Sequence, residues 1–192
     1  IIIKIMNLTL FKQEKPFFSS LTEDLDSYFE WGCGGTTVHV SNKTPAKVHS
    51  IDTSQEWLEK VNKNIKDKNK VVLEHIDVGP TGAWGRPVDE SKKHLWHNYY
   101  EAIYNTKIYP ELIFIDGRFR RACALTAIKY AKDNKINPSI AIHDVSRYIK
   151  DLCPKYLKLK ERVFQLGVFE AKINIDMDEL EKDLERFKFI IR

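Results

Sequence analysis

A glycine-rich stretch near the start of the chain has the composition of a ligand-binding loop. Its sequence is Glu30-Trp31-Gly32-Cys33-Gly34-Gly35-Thr36-Thr37, and it follows a short apolar segment. Glycines directly after a buried strand let backbone N–H groups approach a ligand with no side chain in the way. Such a loop is suited to an anionic or carboxylate-bearing ligand.

An acid follows this loop at a distance typical of nucleoside-binding folds. Asp52 lies 20 residues after Gly32, at the end of the second predicted strand. Doubly wound folds place an acid there to accept hydrogen bonds from ribose hydroxyls. The loop and the acid therefore fit one nucleoside ligand. The alternative is that the glycines form a tight turn and that Asp52 caps a helix.

These residues need a scaffold of alternating strands and helices, which the sequence predicts from about residue 20 onward. We expect a single Rossmann-like domain over 1–192, with a doubly wound, mostly parallel α/β sheet, helices on both faces and an antiparallel hairpin at one edge. The predicted strands are 28–31, 47–51, 71–78, 111–116 and 140–142, with a hairpin over 157–173 that turns near Gly167. Helices are predicted after Ser54, over 95–105, 120–132 and 146–156, and after Asp176, while 33–45 is a polar stretch and 79–93 a long loop.

The predicted strands end in acids and in one histidine. Because ligands of open α/β sheets lie at the carboxyl ends of the strands, we expect five acids to converge on one edge: Glu30, Asp52, Asp77, Asp116 and Asp144. Their mutual repulsion requires ligands, cations or arginines nearby. His143 closes a central strand at the same edge and titrates near neutral pH, so it is a candidate general base; the alternative is a buried structural histidine.

Several stretches together resemble class I S-adenosylmethionine-dependent methyltransferases. Glu30-x-Gly32-x-Gly34-Gly35-Thr36 is similar to the first motif of that superfamily, with Thr36 where many members have a third glycine. The later stretches resemble a poorly characterised branch, and the resemblance runs from about residue 20 to the C-terminus. Those stretches are 79–87, Asp116-Gly117-Arg118-Phe119-Arg120 with 122–125, and His143-Asp144 with Arg147 and Tyr148.

The resemblance implies S-adenosylmethionine as the cofactor and roles for individual residues. The backbone of 32–35 would lie near the methionine part of the cofactor, Asp52 on the ribose diol and Asp77 near the adenine. Asp116 would face the reactive centre, as a cofactor-binding and catalytic residue. Glu30 and Thr36 belong to the matching motif and are assigned to the cofactor site with it.

A divalent metal ion is an alternative at the same place. Asp116, His143 and Asp144 could hold a cation that polarises the acceptor oxygen, as similar positions do in metal-dependent O-methyltransferases. Substrate residues are predicted nearby. Arg118, with Arg120 and Arg121, could bind a phosphorylated or carboxylated acceptor, or instead pair with the acidic edge, and Trp84 could wall an acceptor pocket.

Composition limits the remaining possibilities. Lys and Arg exceed Asp and Glu by four, without a basic block, so no nucleic-acid partner is expected. The three cysteines lie far apart and suggest neither disulfides nor zinc, and no apolar run reaches the ~20 residues of a membrane span. The opening segment 1–5 is too short for a signal-peptide core, although a start at Ile1 suggests a missing N-terminus. We expect a cytoplasmic protein.

The sequence thus predicts a methyltransferase for a small acceptor, such as a sugar or another hydroxylated metabolite, with O-methyl transfer favoured. A nicotinamide-dependent reductase is a rival, but no Tyr-x-x-x-Lys pair follows the fourth strand. A non-catalytic cofactor-binding or scaffold protein with the same fold is the alternative. Oligomeric state is not predicted.

Overall fold

The computed structural model describes residues 6–191, and the opening segment 1–5 lies outside this range. Within it, seven strands form one sheet: β1 (Ser27–Trp31), β2 (Lys47–Asp52), β3 (Val71–His75), β4 (Leu112–Ile115), β5 (Ser139–Ile142), β6 (Leu157–Val163) and β7 (Leu166–Ala171). The α-helices of this range are α1 (Glu14–Thr22), α2 (Gly35–Lys43), α3 (Gln55–Asn62), α4 (His97–Tyr100), α5 (Arg120–Asp133), α6 (Ile149–Leu152) and α7 (Met177–Phe187).

The strand order is β3-β2-β1-β4-β5-β7-β6. The first five strands in this order are parallel, and β7 pairs antiparallel with both β5 and β6. The predicted fold, a mostly parallel sheet with an antiparallel hairpin at its edge, is confirmed. The order reverses at β1 and β4, which puts the carboxyl ends of both central strands beside the crevice where ligands of such sheets bind.

Apolar side chains of the central strands alternate between the two faces of the sheet. Phe29 and Trp31 of β1 belong to a large core cluster that includes α5 and α7, whereas Tyr28 belongs to a second cluster with Phe18 of α1 and Val40 of α2. This alternation follows from the two-residue period of a strand. Helices therefore cover both faces, and the buried sheet fixes where each strand ends.

Two of the predicted helix starts are confirmed by their capping hydrogen bonds. The Ser54 side chain accepts a bond from the Trp57 backbone N–H, and Asp176 accepts one from the Glu179 backbone N–H. Each side chain satisfies one of the N–H groups that a helix leaves unpaired at its start. No helix within 6–191 has both the length and the apolar character needed to cross a membrane.

Other predicted elements are shorter than expected. The helix predicted over 95–105 is the single turn α4 flanked by 3-10 turns, and the one predicted over 146–156 is a 3-10 turn followed by α6. Pro154 lies two residues after the end of α6 and has no backbone N–H to continue the helical hydrogen bonds. Strand β3 ends at His75, although Ile76 and Val78 beyond it are buried.

The hairpin turn and the first two helices differ from the prediction. The turn between β6 and β7 lies at Phe164 and Gln165, and Gly167 is inside β7, where a Cβ would press against the ring of Phe169. The turn thus lies two residues before Gly167, because this glycine serves close packing within β7. No helix is predicted for α1, and α2 forms in the segment predicted to be a polar stretch.

Candidate functional site

The topology places the five predicted acids at the carboxyl edge of the sheet, which is the side where the parallel strands end and not the side formed by the hairpin. Each acid lies within its strand's last two residues or just beyond them: Glu30, Asp52, Asp77, Asp116 and Asp144. Different neighbouring groups offset the negative charge of each acid. Those neighbours distinguish the acids that stabilise this edge from those that could contact a ligand.

Glu30 is fully buried and enclosed by hydroxyl groups. Its carboxylate accepts hydrogen bonds from Thr36 and Thr37 of α2 and from Ser50 of β2, the last at 3.0 Å. Burial raises the pKa of Glu30 to about 7, and the three hydroxyl donors oppose that rise. The predicted cofactor residues Glu30 and Thr36 thus bond to each other and tie β1 to α2 and β2.

The three glycines of the loop differ in the room beside them. Gly34 is buried and its N–H donates to the Thr37 hydroxyl at 2.8 Å, but a Cβ there would make only an ordinary contact with the indole of Trp57 at 3.9 Å. Gly32 differs, since its φ is +94° and a Cβ there would lie 2.5 Å from the backbone nitrogen of Gly117. At Gly35 a Cβ would collide with the backbone of Asn7. Gly34 is therefore the glycine of the loop at which a Cβ meets no steric conflict.

Asp52 is directly connected to this loop. Its carboxylate accepts the Ser54 backbone N–H at 2.9 Å, and the backbone N–H groups of Thr53 and Cys33 lie near enough to favour its ionised form. Burial raises the pKa of Asp52 to about 6, against the opposing effect of these N–H groups and of the Arg118 guanidinium. Gly85 of the long loop packs beside Asp52, and its carbonyl accepts the Thr53 hydroxyl at 2.9 Å.

Asp116 lies at the centre of the edge, directly after β4. Its Oδ1 contacts Nδ1 of His143 at 3.1 Å and a terminal nitrogen of Arg120 at 2.9 Å. Burial opposes ionisation, but these two groups hold the pKa of Asp116 below its usual value. Among the described residues, Oδ2 of Asp116 has no hydrogen-bond partner, which leaves it available to a ligand.

His143 has carboxylates on both ring nitrogens. Nδ1 faces Asp116, and Nε2 lies 3.2 Å from Oε2 of Glu14, a fully buried residue of α1. Burial alone would lower the pKa of His143, yet Asp116, Glu14 and Asp144 raise it above its usual value. Sequence reasoning missed Glu14, because no local pattern connects it to a residue so far along the chain.

The metal alternative does not fit the donor set. Oδ2 of Asp144 faces Arg120 at 3.2 Å and Arg147 at 3.1 Å, and both nitrogens of His143 face carboxylates. Cations already occupy the surroundings of Asp116 and Asp144, so a divalent ion there would be repelled. Within residues 6–191 no group of three or more His, Cys, Asp and Glu residues is arranged to hold a metal ion.

The three clustered arginines have different surroundings. Arg120 bonds to Asp116 and Asp144, and Arg121 bonds to Asp151 at 2.6 Å, so pairing with acids accounts for these two. The guanidinium of Arg118 has no hydrogen bond or ion pair to any residue of the described range, and its Nε is buried. Its backbone N–H donates to the Tyr99 hydroxyl at 3.3 Å.

The remaining predicted site residues lie on or near the long loop. Asp77 is ion-paired with Lys92, and 49% of its side chain is exposed. Trp84 is 84% exposed, in contrast to Trp96 and Tyr99, which are buried in the core. Trp84, Arg86 and Arg118 line a cavity of about 420 Å³. The long loop therefore lies along one side of the edge where the acids converge.

Comparison with known proteins relates this geometry to solved structures. No family model and no curated protein matches the chain. A methyltransferase-like protein from Silicibacter pomeroyi matches with a TM-score of 0.82 and 23% identity, over 96% of this chain and 98% of that one. Aeropyrum pernix fibrillarin, solved with natively bound S-adenosyl-L-methionine, matches with 0.51 and 14%, over 82% and 74%. An RNA methyltransferase from Salinibacter ruber with S-adenosyl-L-homocysteine matches with 0.50 and 11%, over 88% and 97%.

Proposed function

We propose that this chain, which has the class I methyltransferase fold, binds S-adenosylmethionine and transfers its methyl group to a small acceptor. The observation that carries the proposal is the glycine-rich loop directly after β1, where Gly34 has room for a Cβ and Cys33 lies beside the carboxylate of Asp52. The loop and the acid are therefore close enough to contact one ligand. Two solved structures with the same fold contain this cofactor or its demethylated product, which supports the choice of ligand.

The cofactor would supply a methyl group on a sulfonium, whose transfer is an in-line displacement that depends on alignment and on exclusion of water. The protein's contribution is to hold the cofactor and the acceptor and to orient them. The backbone around Gly34 would receive the amino-acid part, Asp52 would accept the ribose hydroxyls, and Asp77 would lie near the adenine. Glu30 and Thr36 would hold the loop in place through the hydrogen bond between them.

Asp116 is the residue we place at the reactive centre. Its free Oδ2 can accept a hydrogen bond from the acceptor or from the cofactor's ammonium group, while Arg120 and His143 fix the other oxygen. Action of His143 as a base requires an open ring nitrogen, and carboxylates occupy both. We therefore give His143 a positioning role behind Asp116.

The acceptor remains the least constrained part of the proposal. Transfer to an oxygen of a small hydroxylated compound stays a prediction, since no residue of the site selects oxygen. An RNA acceptor is the competing hypothesis, because RNA methyltransferases share the fold at low identity. The cavity of about 420 Å³ beside Arg118 has the volume of a small-molecule site, which supports the small acceptor.

Calorimetry with S-adenosylmethionine and with NADH tests the cofactor assignment. We expect the first to bind and the second not to. Gly34→Arg should abolish binding, because the large side chain would fill the space where we place the cofactor, and thermal unfolding measures the change in stability at this buried position. Ser20→Arg on the exposed side of α1 adds the same charge elsewhere and should bind like the parent. Equal binding by Gly34→Arg would place the cofactor somewhere else.

Turnover separates an enzyme from a cofactor-binding scaffold of the same fold. A screen of small hydroxylated acceptors, of carboxylated acceptors and of RNA with a labelled methyl donor should give labelled product for one class. Asp116→Asn should lower the rate of methyl transfer more than it weakens cofactor binding. Tight cofactor binding without labelled product from any class would favour the scaffold.

A further inference from the structure

The guanidinium of Arg118 is a partly buried cation with a fully buried Nε, and it forms no ion pair within residues 6–191. Its neighbours Arg120 and Arg121 are both ion-paired, whereas Arg118 makes no hydrogen bond or ion pair within the described residues. Burial lowers the pKa of Arg118, and Arg120 adds to this, but a guanidinium still stays charged at neutral pH. Asp116 and Asp52 lie near enough for their charges to favour the charged guanidinium, but neither pairs with it directly, so its N–H groups are free to bind an anionic ligand.

The cavity beside Arg118 has room for such an anion and for more. Its volume is about 420 Å³, within the range of small-molecule sites. Arg86 adds a second cation, and Pro87 and Val88 give the wall apolar surface. The lining comes from the long loop and from Arg118, with no residue of the glycine-rich loop. The cavity is therefore separate from the backbone at Gly34, yet Arg118 also influences the pKa of Asp52 beside that loop.

Trp84 shows that the cavity wall is arranged for contact with a ligand. Its backbone has a φ of 61°, a left-handed conformation that costs a bulky residue about 1 kcal/mol or more. The indole that this conformation holds at the cavity is 84% exposed. Strain that leaves a large aromatic side chain in water is not explained by packing. An indole face suits stacking on a planar group.

We propose that Arg118 binds a carboxylate or phosphate group of the methyl acceptor and that Trp84 stacks on a planar part of the same molecule. The proposal rests on the proposed function, since it names the class of acceptor. A guanidinium offers two parallel N–H groups to either oxyanion, and this geometry explains an arginine at the position. Arg118 lies two residues after Asp116, which would bring the bound acceptor next to the reactive centre.

Titration of the protein with model compounds tests the proposal. The protein is saturated with S-adenosylhomocysteine and titrated by calorimetry with benzoate, phenyl phosphate, acetate and neutral benzamide. We expect benzoate or phenyl phosphate to bind about tenfold or more tightly than benzamide. Arg118→Gln should remove this preference, Arg118→Lys should keep part of it, and Trp84→Ala should reduce benzoate binding to the level of acetate. Arg147→Gln, the same change at an exposed arginine of this edge, should have no effect.

Thermal unfolding adds a readout that separates ligand binding from a structural role. Loss of an unpaired buried charge should leave Arg118→Gln at least as stable as the parent, whereas loss of a structural arginine would lower its melting temperature. Unchanged oxyanion binding by Arg118→Gln, or equal binding of benzamide and benzoate, would overturn the proposal.

Two further outcomes would overturn it in favour of another ligand. If Arg118→Gln weakens S-adenosylhomocysteine as much as benzoate, the anion is the cofactor's own carboxylate. If a single-stranded oligonucleotide binds far more tightly than benzoate through Arg118, the surface is for nucleic acid. The titrations are repeated without S-adenosylhomocysteine, so that failure of cofactor binding tests the proposed function alone and oxyanion binding is still measured.

Discussion

The carboxylate of Glu14 lies 3.2 Å from Nε2 of His143, although 129 residues separate the two in the sequence. This contact joins the first helix to the carboxyl end of β5. The other oxygen of Glu14 accepts the Gln165 backbone N–H at 2.9 Å, which adds the turn before β7 to the same cluster. Because His143 in turn contacts Asp116, the N-terminal helix is connected to the proposed reactive centre.

Replacement of Glu14 by glutamine should lower the pKa of His143, since it removes one of the carboxylates that raise it. A histidine with a raised pKa contributes stability that is fully present below its unfolded pKa and is lost as the pH rises through the folded one. We therefore expect Glu14→Gln to lose about 1 to 3 kcal/mol of unfolding free energy at pH 6 and less at higher pH. NMR titration of the imidazole and denaturant unfolding measure both effects.

Glu23→Gln, at the exposed end of α1, is the matched control and should change stability by less than about 0.5 kcal/mol. An unchanged His143 titration in Glu14→Gln would show that the contact has no electrostatic consequence.

The unfolding free energy of the protein should fall as the pH rises from about 4.5 to about 7, because of the ionisation of Glu30. Its pKa is raised to about 7 by burial, so the native state retains a proton that the unfolded chain releases near pH 4.5. The native state binds more protons in this window, and the unfolding free energy therefore falls with pH, by up to about 3 kcal/mol from this residue. Glu30→Gln keeps the shape of the neutral acid and should lack this part of the fall.

Denaturant unfolding of parent and variant at pH 5 and pH 8 measures the difference. The unfolding free energy of Glu30→Gln should increase relative to that of the parent as the pH rises. The control Glu161→Gln, on exposed β6, should have the same pH dependence as the parent. Parallel pH profiles for the parent and Glu30→Gln would contradict the raised pKa.

Affinity for S-adenosylmethionine should increase as Asp52 ionises. Burial raises the pKa of Asp52 to about 6, and an ionised carboxylate accepts ribose hydroxyls better than a neutral acid. We expect the dissociation constant to fall about tenfold between pH 5 and pH 7. Asp52→Asn should bind more weakly at pH 7 and show a flat profile, and Asp24→Asn, at an exposed position, should retain the slope. A flat profile for the parent would remove Asp52 from the cofactor site.

The sheet was predictable because its strands carry strong local signals. Segments such as Leu112–Ile115 are wholly apolar and fully buried, and acids follow them where the chain leaves the sheet. Helix α2 gave a weak signal, since it has few aliphatic residues and begins with threonines that bond to Glu30. A single domain over 1–192 and a cytoplasmic location stay predictions.

The edge acids were predictable from topology, but their partners were not. The positions of Arg118 and Arg120 in the sequence do not indicate that Arg120 forms an ion pair with Asp116 while Arg118 forms none within the described residues. The backbone decides this, because Phe119 between them has a left-handed φ of 52° and α5 begins directly after it. The contact of Glu14 with His143 likewise depends on how the first helix packs, which no local pattern contains.

Alanine substitutions at Gly32 and Gly34 should separate the structural and ligand-binding parts of the loop. At Gly32 the φ of +94° and the backbone of Gly117 at 2.5 Å from a new Cβ both oppose alanine. We expect Gly32→Ala to cost more than about 1 kcal/mol of unfolding free energy. Gly34 has an extended backbone with φ of 170°, and a Cβ there would make only an ordinary contact with Trp57, so Gly34→Ala should leave stability unchanged or slightly higher.

Cofactor binding should follow a different order from stability in this pair. A methyl group at Gly34 lies on the side where we place the amino-acid part of S-adenosylmethionine, so the stable Gly34→Ala variant should bind it less tightly than the parent. Denaturant unfolding and calorimetry of both variants measure the two quantities. If Gly34→Ala binds the cofactor like the parent, the ligand does not approach this backbone. If it is as unstable as Gly32→Ala, the space beside Gly34 is not open.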